Sequence, residues 1–364
     1  MNSETVSIAE LKSHLIEKGP IIDVRAPVEF QAGAIPGSVN LPLLDDSERE
    51  LVGTCYKRSG QEKAMELGFK IVAGENKKSK IEAWKSYIAE NPQSFLTCYR
   101  GGKRSQITQQ FLKEQGLQIR RLEAGYKEAR QFFISELSTY TLTKKMILLT
   151  GFTGSAKTHL LKKAQKFYPA VDLEDLAKHR GSAFGQMRQP QPAQADFENF
   201  LSIEILRLAA TGDERPFLFE DESRMIGHRH LTVDFFNCLR DSQVILVNQT
   251  LEERIENIYG DYILNIDLDD GIFQQYENSV MKIEKRLGGA IAQEILSDVK
   301  RSRLAYLKNG ATESNKIWIE KLLIHYYDIL YKFSFDKRSP KILFQGKHAE
   351  ILDFLKSDIK FWRE

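Results

Sequence analysis

The chain has 364 residues, 42% of them hydrophobic and 28% charged, enough for two folded domains of ordinary size. Its formal net charge of +2 excludes a global basic excess, so any nucleic-acid-binding face must be a local patch. Cys55, Cys98 and Cys238 are widely spaced and form no CxxC pair, which argues against a disulfide framework and a cysteine-based zinc site. No apolar run approaches the ~20 residues of a membrane span, and Met1-Asn2-Ser3-Glu4 lacks a basic region followed by an apolar one. The expectation is a cytoplasmic protein with no membrane partner and no cysteine-based metal site.

In chain order, a helix is expected from Ile8 to Lys18, then a buried strand, Pro20 to Arg25, with Asp23 and Arg25 at its carboxyl end. In open α/β sheets that end is where ligands gather. A loop punctuated by Gly and Pro, residues 29–42, leads into a short strand. Residues 45–92 read as mostly helical, with Gly53-Thr54-Cys55-Tyr56-Lys57 as a polar turn within them. An apolar strand, residues 94–97, then runs into Cys98-Tyr99-Arg100-Gly101-Gly102-Lys103-Arg104-Ser105, and a helix follows with Ile107, Phe111 and Leu112 on one face.

Gly101 and Gly102 let the backbone curl so that successive N–H groups point inward. The following helix adds its positive end, and Arg100, Lys103 and Arg104 add full charges. All of these favour thiolate over thiol, so Cys98 is expected to titrate below a free cysteine and act as a nucleophile. Five residues separate Cys98 from Arg104, a loop able to close around a tetrahedral oxyanion with the arginine available for bidentate contact. Its length resembles that of cysteine-dependent phosphatases, one residue longer than is usual in single-domain rhodanese sulfurtransferases. A strand over residues 118–122 ends in Glu123-Ala124-Gly125-Tyr126, and the alternation of strands and helices implies a parallel sheet covered on both faces.

Residues 136–145, polar and ending in a lysine pair, are read as the linker between a domain at 1–135 and a domain at 146–364. The buried strand Met146 to Thr150 feeds Gly151-Phe152-Thr153-Gly154-Ser155-Ala156-Lys157-Thr158, and a helix follows. This is a P-loop in its required setting. The loop backbone around Gly151, Gly154 and Ser155 is expected to cradle a diphosphate, Lys157 to neutralise its charge, and Thr158 to ligate a magnesium ion if one is used. Ala156 stands where the pattern has glycine; its methyl group costs little in right-handed geometry but weakens binding if the position needs positive φ. Short strands follow at 170–173 and 216–222, the latter ending in three carboxylates, of which Asp221 is either an acid that assists a metal ion or a solvated strand end. His179 and Arg180 open a long irregular segment, residues 179–192, whose cations beside glycines suit a phosphate or RNA contact. A core strand at 243–247, a largely helical stretch from 250 to 332, a last strand at 341–344 and a last helix at 349–362 complete the chain. The stripe Ile319, Leu322, Leu323, Tyr326, Tyr327 and Leu330 reads as helix packing rather than a base-stacking platform.

Residues 5–135 resemble a rhodanese domain, on Asp23-Val24-Arg25, Ile35-Pro36-Gly37, the Cys98 loop and Leu122-Glu123-Ala124-Gly125-Tyr126. Nearly end to end, the chain resembles the tRNA 2-selenouridine synthase family, on both loops and on residues 52–57, 171–174, 179–185, 197–199 and 220–227. The resemblance implies an N-terminal rhodanese-like parallel-sheet domain followed by a P-loop NTPase-like α/β domain with a helical C-terminal part. It implies a transferase acting on the wobble 2-thiouridine of tRNAs for Lys, Glu and Gln. The base is first S-geranylated from geranyl diphosphate, and the geranylthio group is then replaced by selenium from selenophosphate. Cys98 would carry the selenium, the loop of Arg100, Gly101, Gly102, Lys103 and Arg104 would hold selenophosphate, and no cofactor would be tightly bound. Basic side chains expected to meet tRNA are these three cations with Arg120, Arg121, Lys127, Arg130, Lys144 and Lys145. The alternatives are a rhodanese-type sulfurtransferase or a cysteine phosphatase coupled to an NTP-binding domain, and a non-enzymatic tRNA-binding protein.

Overall fold

In a computed structural model, which describes residues 4–180, 184 and 189–357, the chain forms two compact units: residues 1–140 with 192–211, and residues 141–191 with 212–364. The elements of the first stretch are β1 (Thr5–Val6), α1 (Ile8–Ile16), β2 (Ile21–Asp23), α2 (Pro27–Gln31), β3 (Ser38–Asn40), α3 (Asp46–Ile71), α4 (Gly74–Glu90), β4 (Phe95–Thr97), α5 (Lys103–Glu114), β5 (Arg120–Leu122) and α6 (Gly125–Thr143). The strands pair in the order β1-β5-β4-β2-β3, all parallel. Successive residues point to opposite faces, so Ile21 and Phe95 pack with Leu11, Leu15 and Phe133 on one side. Ile22 and Leu96 pack with Trp84, Phe111 and Leu112 on the other. The chain leaves β2 for β3 and crosses back to β4, so the carboxyl ends of β2 and β4 flank the point where strand order reverses.

Two expectations change here. Gly53 to Lys57 is not a turn: Asp45 caps α3 by accepting from the Glu48 N–H at 2.7 Å, and the helix runs through this segment. Its break comes at Gly60, at φ 81°. The Ser- and Thr-rich stretch expected as a linker is instead the end of α6, which buries Phe133 and Leu137.

The chain continues with β6 (Met146–Thr150), α7 (Lys157–Ala164), β7 (Ala170–Val171), α8 (Leu173–Ala177), α9 (Gln194–Ala210), β8 (Phe217–Glu220), β9 (Met225–Ile226), β10 (Arg229–His230), α10 (Val233–Asp241), β11 (Gln243–Val247), α11 (Leu251–Tyr259), α12 (Asp270–Leu287), α13 (Gly289–Asn309), α14 (Asn315–Leu322), α15 (Asp328–Arg338), β12 (Ile342–Gly346) and α16 (His348–Lys356). Single π-turns, Gly260–Leu264 and Leu323–Tyr327, extend α11 and join α14 to α15. The second sheet is parallel in the order β12-β11-β6-β8-β7, and β9 and β10 form a small antiparallel pair. After β6 the chain goes out to the edge strand β7, comes back to lay β8 between β7 and β6, then crosses to place β11 on the other side of β6. The P-loop therefore sits at the carboxyl end of the strand where the order reverses. Helices α11 to α15 form a core of their own around Phe273, Ile295, Trp318 and Leu323.

The sequence reading assigns residues 192–211 to the second domain, but they pack in the first unit. Ile203 of α9 joins the core of Leu11, Leu15 and Phe133. Asp196 Oδ1 accepts from the Ala34 N–H at 2.7 Å, Asn199 Nδ2 donates to Ala34 O at 2.8 Å, and Ser202 Oγ donates to Phe133 O at 2.9 Å. Arg207 Nε donates to Leu15 O at 3.0 Å, and Arg130 pairs with Glu198. Among the described residues no helix is long and apolar enough to cross a membrane.

Candidate functional site

In the first unit, Cys98 follows β4 directly and is 2% exposed. Gly101 (φ 60°) turns the loop, and a Cβ there would overlap Glu123 O, so only glycine fits. Gly102 caps α5 without needing glycine geometry: its φ is −91° and a Cβ would meet open space. The loop is pinned from outside by the Tyr126 N–H on Cys98 O at 2.8 Å, the Lys127 N–H on Tyr99 O at 2.9 Å, and Arg121 Nη1 on Gly101 O at 2.9 Å. Asp23 and Arg25, both buried, form a bidentate pair behind it, and Arg25 lies over the Tyr126 ring at 4.1 Å.

Arg104 departs from expectation. Its fork is taken by Glu29 of α2, with Nη2 donating to Oε1 at 3.1 Å and Nη1 to Oε2, so bidentate contact with a ligand requires that pair to open. Arg100, Lys103 and Lys127 are exposed and make no ion pair among the described residues, whereas Arg120 pairs with Glu10 and Lys144 donates to Asp213 O.

Ser105, buried in the first turn of α5, was not singled out by sequence. Its Oγ lies 3.2 Å from Cys98 Sγ and also contacts Gly102 O at 3.1 Å. This hydroxyl can turn from Gly102 O to donate to the sulfur once the sulfur is ionised. Ser105→Ala is therefore expected to slow iodoacetamide labelling of Cys98 at neutral pH by about tenfold, the value of one hydrogen bond to a charged group. An unchanged labelling rate, read by mass spectrometry, removes Ser105 from the site.

In the second unit, three P-loop carbonyls are held from outside. Arg254 Nη1 donates to Thr153 O at 3.2 Å, Asn257 Nδ2 to Gly154 O at 2.9 Å, and His348 Nε2 contacts Ser155 O at 2.8 Å. Arg254 is itself locked by a bidentate pair with Asp328. Lys157 Nζ folds back onto Gly151 O at 3.1 Å. Ala156 lies at φ 51°, ψ 41°, so the position does need left-handed backbone. The strain is ~1–2 kcal/mol for a residue with a Cβ. Ala156→Gly relieves it but loses more entropy on folding, so a net gain of about 0.5–1 kcal/mol in the urea unfolding free energy is expected. A loss of stability instead would show that the left-handed geometry is not strained here.

Asp221 is not the acid that faces the P-loop. Side chains alternate across a strand, and Asp221 turns away from Thr158 to receive Arg338 in a bidentate pair (2.7 and 2.6 Å) and the Thr150 hydroxyl at 2.6 Å. Its neighbour Glu220 faces the loop instead: Thr158 Oγ1 donates to Glu220 Oε2 at 3.2 Å and to Glu174 Oε2 at 3.3 Å. Glu220 is 2% exposed, and its Oε1 has no hydrogen-bond partner among the described residues. Burial, reinforced by Glu174 and Glu222, pushes Glu220 well above the usual carboxylate range. Burial and Glu174 push Glu222 up to about 8, against the pull of Lys157. Burial likewise raises Asp172. Among the described residues, no group of three or more His, Cys, Asp or Glu side chains is placed to hold a metal ion.

These acids, Lys157 and Thr158 open onto a cavity of ≈ 360 Å³ whose other side is apolar, lined by Ile258, Tyr262, Trp318, Ile319, Leu322 and Leu323. The stripe read as packing is thus also a cavity wall. Arg180 lines the cavity, with Nη1 on Asp261 O at 3.0 Å. His179 is not among the lining residues and packs on Gly227. Of residues 181–188, which follow them, Phe184 is described; residues 181–183 and 185–188 lie outside the described residues.

A parallel-sheet unit with a cysteine loop, joined to a P-loop unit, defines a two-headed enzyme of the rhodanese and P-loop classes. Residues 7–131 match the rhodanese-like domain model, and residues 144–360 match the tRNA 2-selenouridine synthase AAA domain model. The chain is similar to the tRNA 2-selenouridine synthase of Nitrosomonas europaea, 40% identical over 98% of this chain and 100% of that one. It is also similar to that of Bdellovibrio bacteriovorus, 41% identical over 98% and 100%, and to that of Shewanella denitrificans, 40% identical over 96% and 98%. The chain belongs to the tRNA 2-selenouridine synthase family.

Proposed function

We propose that the protein converts wobble 2-thiouridine of tRNAs for Lys, Glu and Gln into 2-selenouridine in two steps, one per loop, in the cytoplasm. The observation that supports this reading is that one chain carries both a buried thiol where β4 runs into a basic, Gly-rich loop and a P-loop with an intact Lys157 and Thr158.

In the first step the base sulfur attacks C1 of geranyl diphosphate. The C1–O bond breaks with its pair on the diphosphate, and the N3 proton is lost. Lys157 and the loop N–H groups stabilise the departing charge without ATP hydrolysis. A magnesium ion fits this corner, since such ions take one or two protein oxygens plus phosphate oxygens. Thr158 Oγ1 and the unpartnered Glu220 Oε1 would hold it, and it would neutralise diphosphate charge.

In the second step Arg100, Lys103 and the start of α5 hold selenophosphate, and the Cys98 sulfur takes the selenium. The S–Se bond forms as the P–Se bond breaks with its pair on phosphorus, which is reduced from P(V) to P(III) and leaves as phosphite. The terminal selenium then attacks C2 as geranylthiolate leaves, and a pair of external thiols, oxidised to a disulfide, reduces the S–Se bond and frees Cys98. Alkylation matters because sulfur on C2 leaves poorly until it is converted to a thiol leaving group.

The test is mass spectrometry of nucleosides from 2-thiouridine tRNA incubated with the protein, first with geranyl diphosphate and then with selenophosphate and a thiol. Geranylthiouridine followed by selenouridine is expected. Selenouridine formed without geranyl diphosphate overturns the order of steps.

A further inference from the structure

The apolar side of the second-unit cavity is not used by the steps above. It is built largely from the two π-turns, which supply Tyr262 from one and Leu323 and Tyr327 from the other, with Ile319 and Leu322 from the end of α14. π-turns are rare and recur at functional sites, and here both converge on one cavity. Ile319, Leu322 and Leu323 are at most 3% exposed, so the wall is buried hydrocarbon. Trp318 backs it as a fixed plate: 2% exposed, Nε1 donating to Asn315 Oδ1 at 2.8 Å, the ring 6.0 Å from Phe184 and 5.5 Å from Tyr276.

A purine ring would need polar partners at its edge, and two donors beside the wall are already engaged. Asn257 Nδ2 serves Gly154 O and Gln249 Oε1, and the Trp318 N–H serves Asn315. A hydrocarbon tail needs no such partners. Because the wall and the P-loop share one cavity, a ligand with a diphosphate head at Lys157 reaches the wall with whatever its head carries. The cavity of ≈ 360 Å³ is near the small end of ligand pockets, ~300–1,000 Å³, so it suits a short tail.

We propose that the wall between the two π-turns is the subsite for the isoprenoid tail of a prenyl diphosphate, and that Trp318 sets the tail's length limit. This rests on the reading of the P-loop as a diphosphate cradle.

The test is equilibrium binding of inorganic diphosphate, geranyl diphosphate, farnesyl diphosphate and ATP to the full chain. Wild type should bind geranyl diphosphate at least ~100-fold more tightly than inorganic diphosphate, as expected for burying several methylene equivalents. Farnesyl diphosphate should bind at least ~10-fold more weakly than geranyl diphosphate, and ATP should not displace it. Leu322→Trp should erase the geranyl advantage while inorganic diphosphate affinity moves less than about threefold. Trp318→Ala should bring farnesyl diphosphate level with geranyl diphosphate; because Trp318 is a core residue, Leu322→Trp decides the matter where that variant does not fold. A full geranyl advantage in Leu322→Trp, or preferred binding of ATP by wild type, overturns the tail subsite. Equal binding of geranyl and farnesyl diphosphate by wild type overturns the length limit. Unchanged inorganic diphosphate binding in Lys157→Ala overturns the cradle itself, a separate failure.

Discussion

Cys98→Ser is expected to abolish 2-selenouridine, with a fall of at least ~1,000-fold, the scale on which removal of a covalent nucleophile acts. Geranylthiouridine should accumulate in its place. The substitution is nearly isosteric, and the site at the end of β4 already holds a hydroxyl beside the sulfur, Ser105 Oγ at 3.2 Å, so the fold should survive. A serine hydroxyl stays protonated at neutral pH and forms no stable bond to selenium. Nucleoside mass spectrometry of tRNA from cells carrying wild type or variant reads both species at once. Selenouridine at wild-type levels would mean that selenium reaches the base without passing through this sulfur.

Lys157→Ala should produce the complementary defect, a loss of geranylation of ~100–1,000-fold, as for other fixed donors aimed at a leaving group's developing charge. Conversion of already geranylated tRNA to the selenium form should persist. In the structure Lys157 is tethered to Gly151 O at 3.1 Å and lies among Glu174, Glu220 and Glu222. Its loss therefore removes the positive charge that acts on Glu220 and Glu222 as well as the phosphate contact. Geranylation that survives while an ATPase activity disappears would reassign the P-loop to nucleotide hydrolysis.

Both loops and the strands that feed them were legible because local chemistry dictates them: a glycine that must turn, a helix that must start, a strand that must be buried on both faces. What was not legible depended on phase and on partners. Three consecutive carboxylates end β8, and only the strand's register tells that Glu220, not Asp221, meets Thr158. Ser105 follows Arg104 in sequence, but its approach to the sulfur arises because the first turn of α5 folds over the loop. Arg104 looked available for an anion, since nothing in its own segment announces that Glu29, on an element far earlier in the chain, closes on it. The sequence reading names no helix at 194–210; α9 buries Phe197, Leu201, Ile203 and Ile205, and nothing local says against which sheet. Of the stripe from Ile319 to Leu330, Ile319, Leu322, Leu323 and Tyr326 were correctly read as packed while Leu330 is exposed; half of a cavity wall is also packed, and the two look alike in one dimension.

The excursion of α9 has a consequence for how the protein is made. Its residues complete the rhodanese-like core, but they are encoded after the P-loop strand and the helices that follow it. On the ribosome, the N-terminal half therefore waits with an open apolar flank around Leu11, Leu15 and Phe133 until residue 211 has emerged. Domains usually mature in the order of synthesis. Here the nascent chain must begin its second unit before the first can be finished, so the two halves are born as one folding problem.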